Sequence, residues 1–429
     1  MASTIISHLP LHIKPQKHIH PLKRVKPKSV FTCCISIEPT TSTINGPTRS
    51  SLRVVFAAGG AGAQIFPAVA MADEIKSISQ DSEILFIGTD TGMESTAIPS
   101  TGFDFAAIPA TPLARPVFSF RNMLIPFKWA KSMAESWKIM KRFKPQVVVG
   151  TGGYVSFPIC LIAKLKGLKV AIHEQSLVPG YANWALSFVA DVVFVGHNSC
   201  VDSFPCDKKK IVVSGNPVRM SLRKYVSKTV ARTYFFPKLA EIEDSDVKVV
   251  LVLGGSFGAN SMNIALFNVY TQMLSERPNL HLIWETGVEA FDEMESLVRS
   301  HPRLVLAPFL KSMDSAYAAA DLVVSRAGAM TCSELLVTGK PAILIPSPNV
   351  AEGYQFKNAS LMADLADSRI ITEDELDSTT LQTAIVNILD NERLLKTMSE
   401  RALQAGKPNA GAEIAEYVMS LVSFAPVRD

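Results

Sequence analysis

The sequence predicts an α/β protein made of two Rossmann-like parallel-sheet domains facing a cleft, and three observations predict it. First, a strand of buried type runs into a glycine-rich turn at two places. One is Arg53-Val54-Val55-Phe56-Ala57-Ala58 into Gly59-Gly60-Ala61-Gly62-Ala63-Gln64, and the other is residues 247–253 into Gly254-Gly255-Ser256-Phe257-Gly258. Second, from residue 53 onward short β-branched runs alternate with helix-period segments, as strands joined by helical crossovers do. Third, a polar, charged stretch separates the two series. Glycines in such turns let backbone N–H groups approach an anion, and the helix that follows adds its positive end. Two facing units of this kind suit a transfer between two substrates.

The 429 residues, 48% of them apolar, are enough for two to three domains with sizeable cores. No apolar run approaches the ~20 residues of a membrane span. Residues 1–50 carry seven Lys and Arg against the single Glu38, a charge of +6 where the whole chain has +4, so the remainder carries −2. That weakly acidic body excludes a general case for nucleic-acid binding. The leader is rich in Ser, Thr and Pro and lacks a compact apolar segment, which reads as an organelle transit peptide, with a plastid preferred for its low arginine. The alternative is a basic tail kept in the mature protein. The expected location is the chloroplast, in the stroma or peripheral on the inner envelope.

The first domain, 51–220, draws its strands from 54–57, 84–87, 147–149, 170–172, 192–195 and 211–213. Its helices fall at 67–77, 125–143, 157–165 and 181–188. Residues 221–246, where Lys, Glu and Asp replace apolar runs, are the linker. In the second domain, 247–408, strands are expected at 248–253, 281–285, 303–307, 322–325, 342–346 and 369–371. Helices are expected at 259–275, 313–319, 331–337, 356–365 and 379–389. The last segment, 409–429, holds a helical pattern over 410–424 placed to reach back to the first domain.

Neither glycine turn carries the dinucleotide fingerprint, because Ile65 stands where its third glycine belongs and the second turn is spaced differently. No G-x-x-x-x-G-K-[ST] element is present, and the six cysteines show neither zinc spacing nor a disulfide framework. No metal and no cofactor is expected. Candidate polar groups instead gather at strand ends. They are Gly150-Thr151-Gly152-Gly153-Tyr154-Val155-Ser156, His173-Glu174-Gln175, Gly215-Asn216-Pro217-Val218-Arg219, and Ser325-Arg326-Ala327-Gly328-Ala329-Met330-Thr331 leading to Glu334. Pro346-Ser347-Pro348 leads on to Gln355 and Asn358.

These segments, in order from about residue 53 to 417, resemble the bacterial cell-wall transferase family MurG. The resemblance implies the GT-B glycosyltransferase fold and an inverting transfer of N-acetylglucosamine from UDP-N-acetylglucosamine to a lipid-linked muramyl-peptide acceptor, lipid I to lipid II. On that resemblance Arg219, Ser256, Leu310, Ala329, Met330, Thr331, Glu334 and Gln355 bind the donor. Glu334 would accept ribose hydroxyls, Leu310 would meet uracil, and Ser256 with the start of the Ala329 helix would hold diphosphate and sugar. Gly59, Gly60, Gly62, Gly152, Gly153 and Tyr154 would cradle the acceptor diphosphate.

The first loop departs from the family's Gly-Gly-Thr-Gly-Gly-His: it has Ala61, Ala63 and Gln64. A glutamine amide orients a hydroxyl but does not take its proton, so His173 and Glu174 join Gln64 as catalytic candidates. Ser176 replaces an asparagine and Tyr354 a histidine. Two other readings follow from the residues, a plastid galactolipid synthase and a weakened UDP-sugar-binding protein. Between 119 and 144, Arg121, Lys128, Lys131, Lys138, Lys141, Arg142 and Lys144 interleave with Phe120, Phe127, Trp129 and Trp137. Such a helix suits an anionic membrane surface, and as an ordinary amphipathic helix it would bury its aromatics in the core.

Overall fold

The computed structural model describes residues 51–112, 123, 125–241, 246–255, 259–349 and 353–423. The leader, Phe120, Arg121 and Ser256 lie outside them. Two parallel sheets organise the rest. The first contains β1 (Arg53–Ala57), β2 (Glu83–Gly88), β3 (Asp104–Ala107), β4 (Val147–Gly150), β5 (Lys169–Glu174), β6 (Val192–Val195) and β7 (Ile211–Val213). The second contains β8 (Lys248–Leu253), β9 (Leu280–Glu285), β10 (Leu304–Ala307), β11 (Leu322–Ser325), β12 (Ala342–Leu344) and β13 (Arg369–Ile370).

Among the described residues the strand orders are β3-β2-β1-β4-β5-β6-β7 and β10-β9-β8-β11-β12-β13, every pairing parallel. This is the doubly wound order, and it reverses between the first and fourth strand of each sheet. Crossovers there leave the sheet in opposite directions, so a crevice opens at the carboxyl ends of β1 and β4 and of β8 and β11. Both glycine turns sit at these switch points.

The core strands are apolar on both faces because helices cover both. Val54, Val55, Phe56 and Ala57 are fully buried, as are Val249, Val250 and Leu251. Each sheet has one hydrophobic cluster per face.

Several elements differ from the sequence reading. The first helix begins at Gly62 and runs to Ile78 with Pro67 inside it. Its start is held by the Gln64 and Ile65 amides on the Ala61 carbonyl, 3.0 and 3.3 Å, and this places Gln64 in its first turn. β3, with the sequence Asp-Phe-Ala-Ala, lacks the β-branched residues that would have marked it. The expected 259–275 helix is two, Asn260–Phe267 and Tyr270–Glu276. The Glu392–Ala405 helix was not anticipated.

The stretch read as a linker contains the helix Lys228–Phe235, and Ala231, Phe236 and Leu239 pack in the second domain's core with Val218 and Leu222. The chain therefore joins the second domain by about Val218. The last helix, Ala410–Ser423, does return: Ile414, Ala415 and Val418 are buried in the first domain's cluster, and Tyr417 sits edge-on to Phe194 at 5.4 Å.

Candidate active site

At the first switch point the turn after β1 lies against the turn after β4. Gly60 has φ +106° and Gly153 φ +77°, conformations L side chains rarely adopt. A Cβ on Gly153 would sit 2.7 Å from the Gly59 carbonyl oxygen, and one on Gly60 3.2 Å from the Tyr154 ring. Glycine is what lets the loops touch. Gly62 opens the first helix and Gly152 immediately precedes the helix Gly153–Leu165. Gln64 is carried beside this contact, its Oε1 buried with no hydrogen-bond partner.

Beneath the first turn lies Glu94, fully buried. It accepts the Thr89 hydroxyl at 2.6 Å, the Thr89 N–H at 2.9 Å and the Gly60 N–H at 3.1 Å. Burial pushes its pKa up, but these hydrogen bonds outweigh burial and leave it below the usual value. The Gly60 amide is thus already engaged.

His173 and Glu174 end β5. The His173 ring is fully buried, with Nε2 3.2 Å from the Gly215 carbonyl oxygen and Nδ1 3.2 Å from Gln175 Nε2. An amide NH₂ can only donate, so Nδ1 accepts and Nε2 carries the proton. Burial pulls its pKa down to about 4. Glu174 accepts from the Ser176 N–H at 3.1 Å, the Gly180 N–H at 3.0 Å and Asn183 Nδ2 at 2.9 Å. Burial raises its pKa in spite of them. Both side chains are enclosed and partnered, as groups that hold the strand end in shape are.

The second switch point gathers the expected donor residues, Ser256 excepted because it falls outside the described residues. The helix Ala329–Thr338 starts directly after the β11 turn, with Ala329, Met330 and Thr331 in its first turn and no side chain capping it. Its uncapped end suits an anion. One turn along, Glu334 is 6% exposed and accepts the Tyr317 hydroxyl at 2.9 Å. Arg219 Nε lies 3.2 Å from its other oxygen, with the guanidinium carbon 5.2 Å from the centre of the Phe66 ring. Arg219 therefore spans the first domain's opening helix and the second domain's Glu334. Gln355 Oε1 accepts the Ser347 N–H at 2.8 Å. The Leu310 N–H donates to Glu285 Oε2 at 3.1 Å.

The domains meet through Asn216, whose Nδ2 lies 3.1 Å from the Gln175 carbonyl oxygen and 2.9 Å from Ser333 Oγ. A cavity of about 310 Å³ adjoins this bond, lined by Asn216, His197, Lys407, Ser333, Leu336 and Met362 among others. Among the described residues no three His, Cys, Asp or Glu side chains gather as a metal site.

Two family models match in chain order. The glycosyltransferase family 28 N-terminal domain matches residues 54–195, and the family 28 C-terminal domain residues 249–414. A UDP-N-acetylglucosamine--N-acetylmuramyl-(pentapeptide) pyrophosphoryl-undecaprenol N-acetylglucosamine transferase from Christiangramia forsetii is 38% identical, covering 87% of this chain and 99% of its own. The enzyme of that name from Salinibacter ruber is 36% identical over 86% and 96%. The crystal structure of Acinetobacter baumannii MurG is 28% identical, with a TM-score of 0.66 over 86% of this chain and 99% of that one.

The chain belongs to the MurG family.

Its fold is the two-domain GT-B architecture, shared more distantly with a Listeria monocytogenes protein described as a putative UDP-N-acetylglucosamine 2-epimerase, 12% identical with a TM-score of 0.62. Against this MurG-type frame three residues escaped the sequence reading: Glu94, Tyr317 and Glu285. Glu94 opens the short helix Glu94–Ala97, in a segment whose sequence shows no pattern, and Tyr317 reads as core. Glu285 carried a signal, as the one acid closing an otherwise apolar strand, Leu-His-Leu-Ile-Trp-Glu.

Proposed function

We propose that the protein moves N-acetylglucosamine from UDP-N-acetylglucosamine to a lipid-linked N-acetylmuramyl-pentapeptide, forming the disaccharide carrier lipid II from lipid I. The observation that carries this is the second switch point, where an uncapped helix start, Arg219 and Glu334 supply partners for a diphosphate and a ribose in a chain that aligns over nearly the whole length of enzymes named for this transfer. The acceptor hydroxyl forms a bond to the anomeric carbon as the bond from that carbon to the UDP oxygen breaks, with inversion. The helix start and Arg219 stabilise the charge gathering on the diphosphate. Gln64 orients the hydroxyl, whose proton passes to water or to the departing diphosphate. His173 and Glu174 shape the site from behind. The purified chain, given radiolabelled UDP-N-acetylglucosamine and a short-chain lipid-linked muramyl-pentapeptide, should place label in the lipid. Donor binding by calorimetry without transfer would reject the reading.

The same reading puts the first domain on a membrane. The helix Ile125–Phe143 exposes Phe127 and Trp137 among Lys128, Lys131, Lys138, Lys141 and Arg142. Trp129 instead packs inward on Phe157 at 5.2 Å. Exposed Tyr181, Trp184 and Phe188 lie on or just after the helix Tyr181–Leu186, which like Ile125–Phe143 packs on the helix Gly153–Leu165. No described helix is long and apolar enough to cross a membrane. Charge reversal at Lys128 and Lys131 should abolish sedimentation with anionic vesicles, and unchanged sedimentation would reject the surface. We further propose that residues 1–50 direct the chain to the chloroplast, which a fluorescent fusion to that segment tests: signal confined to the cytosol would overturn it.

A further inference from the structure

We propose that Glu285 is the positioning residue of the nucleotide-sugar site, one buried carboxylate that holds the second glycine turn and the Leu310 loop at a fixed separation. The inference rests on the donor reading of the second switch point. Glu285 ends β9, the strand lying between β8, which runs into Gly254-Gly255, and β10, which runs toward Leu310. Its carboxylate accepts the Leu310 N–H at 3.1 Å and faces the Gly255 N–H, which helps to hold its charge. Its own carbonyl accepts the Gly254 N–H at 2.9 Å. Two chain segments that wall the site therefore hang from one residue that is 4% exposed.

In a dinucleotide-binding unit, a carboxylate at this strand end receives ribose hydroxyls. Here two loop amides already occupy it. Glu334, on the helix after β11, has side-chain partners instead, the Tyr317 hydroxyl on one oxygen and Arg219 on the other, and is the acid that the donor reading gives to the ribose, with Arg219 offsetting the charge of both acids. The division assigns Glu285 to loop geometry and Glu334 to the ligand. A carboxylate suits the first task because both its oxygens accept. A glutamine offers one acceptor and sets its NH₂ against the other N–H, leaving a buried donor unmatched.

Glu285→Gln should raise the UDP-N-acetylglucosamine dissociation constant about tenfold, the equivalent of ~1.4 kcal/mol. Because Gln64 and the first-domain loops are untouched, kcat should stay within about threefold. Calorimetric titration of the full wild-type and variant chains, followed by KM and kcat, makes the test. Equal affinities overturn the proposal. So does a large fall in kcat at unchanged affinity, which would place Glu285 among the reacting groups. A wild-type chain that binds no UDP-N-acetylglucosamine overturns the donor reading, and the proposal with it. Amide exchange of Leu310 in unliganded wild type gives a measurement independent of the variant's folding. Slow exchange is expected, and exchange at the rate of an open loop overturns the proposal.

Discussion

Gln64 concentrates the chemical question at the scale of single residues. It stands in the first helical turn, beside the meeting of two glycine loops, with a buried oxygen that nothing among the described residues partners. Gln64→His restores a group able to take a proton, and such assistance is worth ~10²–10⁴ in rate where it operates. We expect kcat to rise at least about tenfold in the transfer assay. No rise would show that proton removal does not limit this enzyme. His173 makes a different prediction. Its ring is neutral and enclosed, and its pKa is held at about 4 against an ordinary 6.5. The unfolded chain therefore binds the extra proton first as pH falls. Stability should drop between pH 6.5 and about 4, by about 3 kcal/mol for this group. In urea titrations across that window His173→Gln should flatten the slope, and an unchanged slope would remove His173 as its source.

The elements show why some of the fold was legible and some was not. Strands β1, β4 and β8 announced themselves because burial on both faces demands unbroken β-branched and apolar runs. β3, an edge strand only partly buried, carries no such demand. The Glu392–Ala405 helix fully buries only Met398 and Ala402, with Leu394 and Leu395 partly buried among charged and polar residues, so its apolar face was too narrow to stand out. The Lys228–Phe235 helix hid in charge for the same reason: its buried Arg232 is paired to Asp321 at 2.6 Å. The Ala410–Ser423 helix belongs by sequence to the second domain's end and by packing to the first domain's core. Ala415→Asp would put an unpaired charge into the first domain's apolar cluster, where Ala415 is fully buried. Its expected cost is more than ~3 kcal/mol, read from denaturant midpoints. A loss below ~1 kcal/mol would mean that the helix is not docked in solution.

At the scale of the whole molecule, two sheets of the same winding place their switch points on either side of one junction. Asn216 reaches across it from the Gln175 carbonyl to Ser333, which shares a helix with Glu334. The bond links the first domain's frame to the donor helix. Asn216→Ala should leave both domains folded, because each has its own pair of apolar clusters, and raise the UDP-N-acetylglucosamine dissociation constant about threefold to tenfold. Calorimetry decides it, and an unchanged constant would show that donor binding is settled within the second domain alone.

The sequence by itself determined two parallel-sheet domains, the glycine turns after β1 and β8 and the family, because these depend on local pattern: runs of β-branched residues, glycines at fixed offsets, polar groups at strand ends. Tertiary structure alone decided which of those polar groups face a ligand. His173 and Glu174 look in sequence like a reactive base and acid, while Glu94 and Glu285 emerge only in the fold. Packing encloses each and spends it on backbone or side-chain partners. Glu334 and Arg219, from segments far apart in the chain, come together only when the Val218 segment folds into the second domain's core. A residue's type sets what chemistry it is capable of, but burial and partners set which protonation state it keeps and what it can reach, and those depend on the rest of the chain.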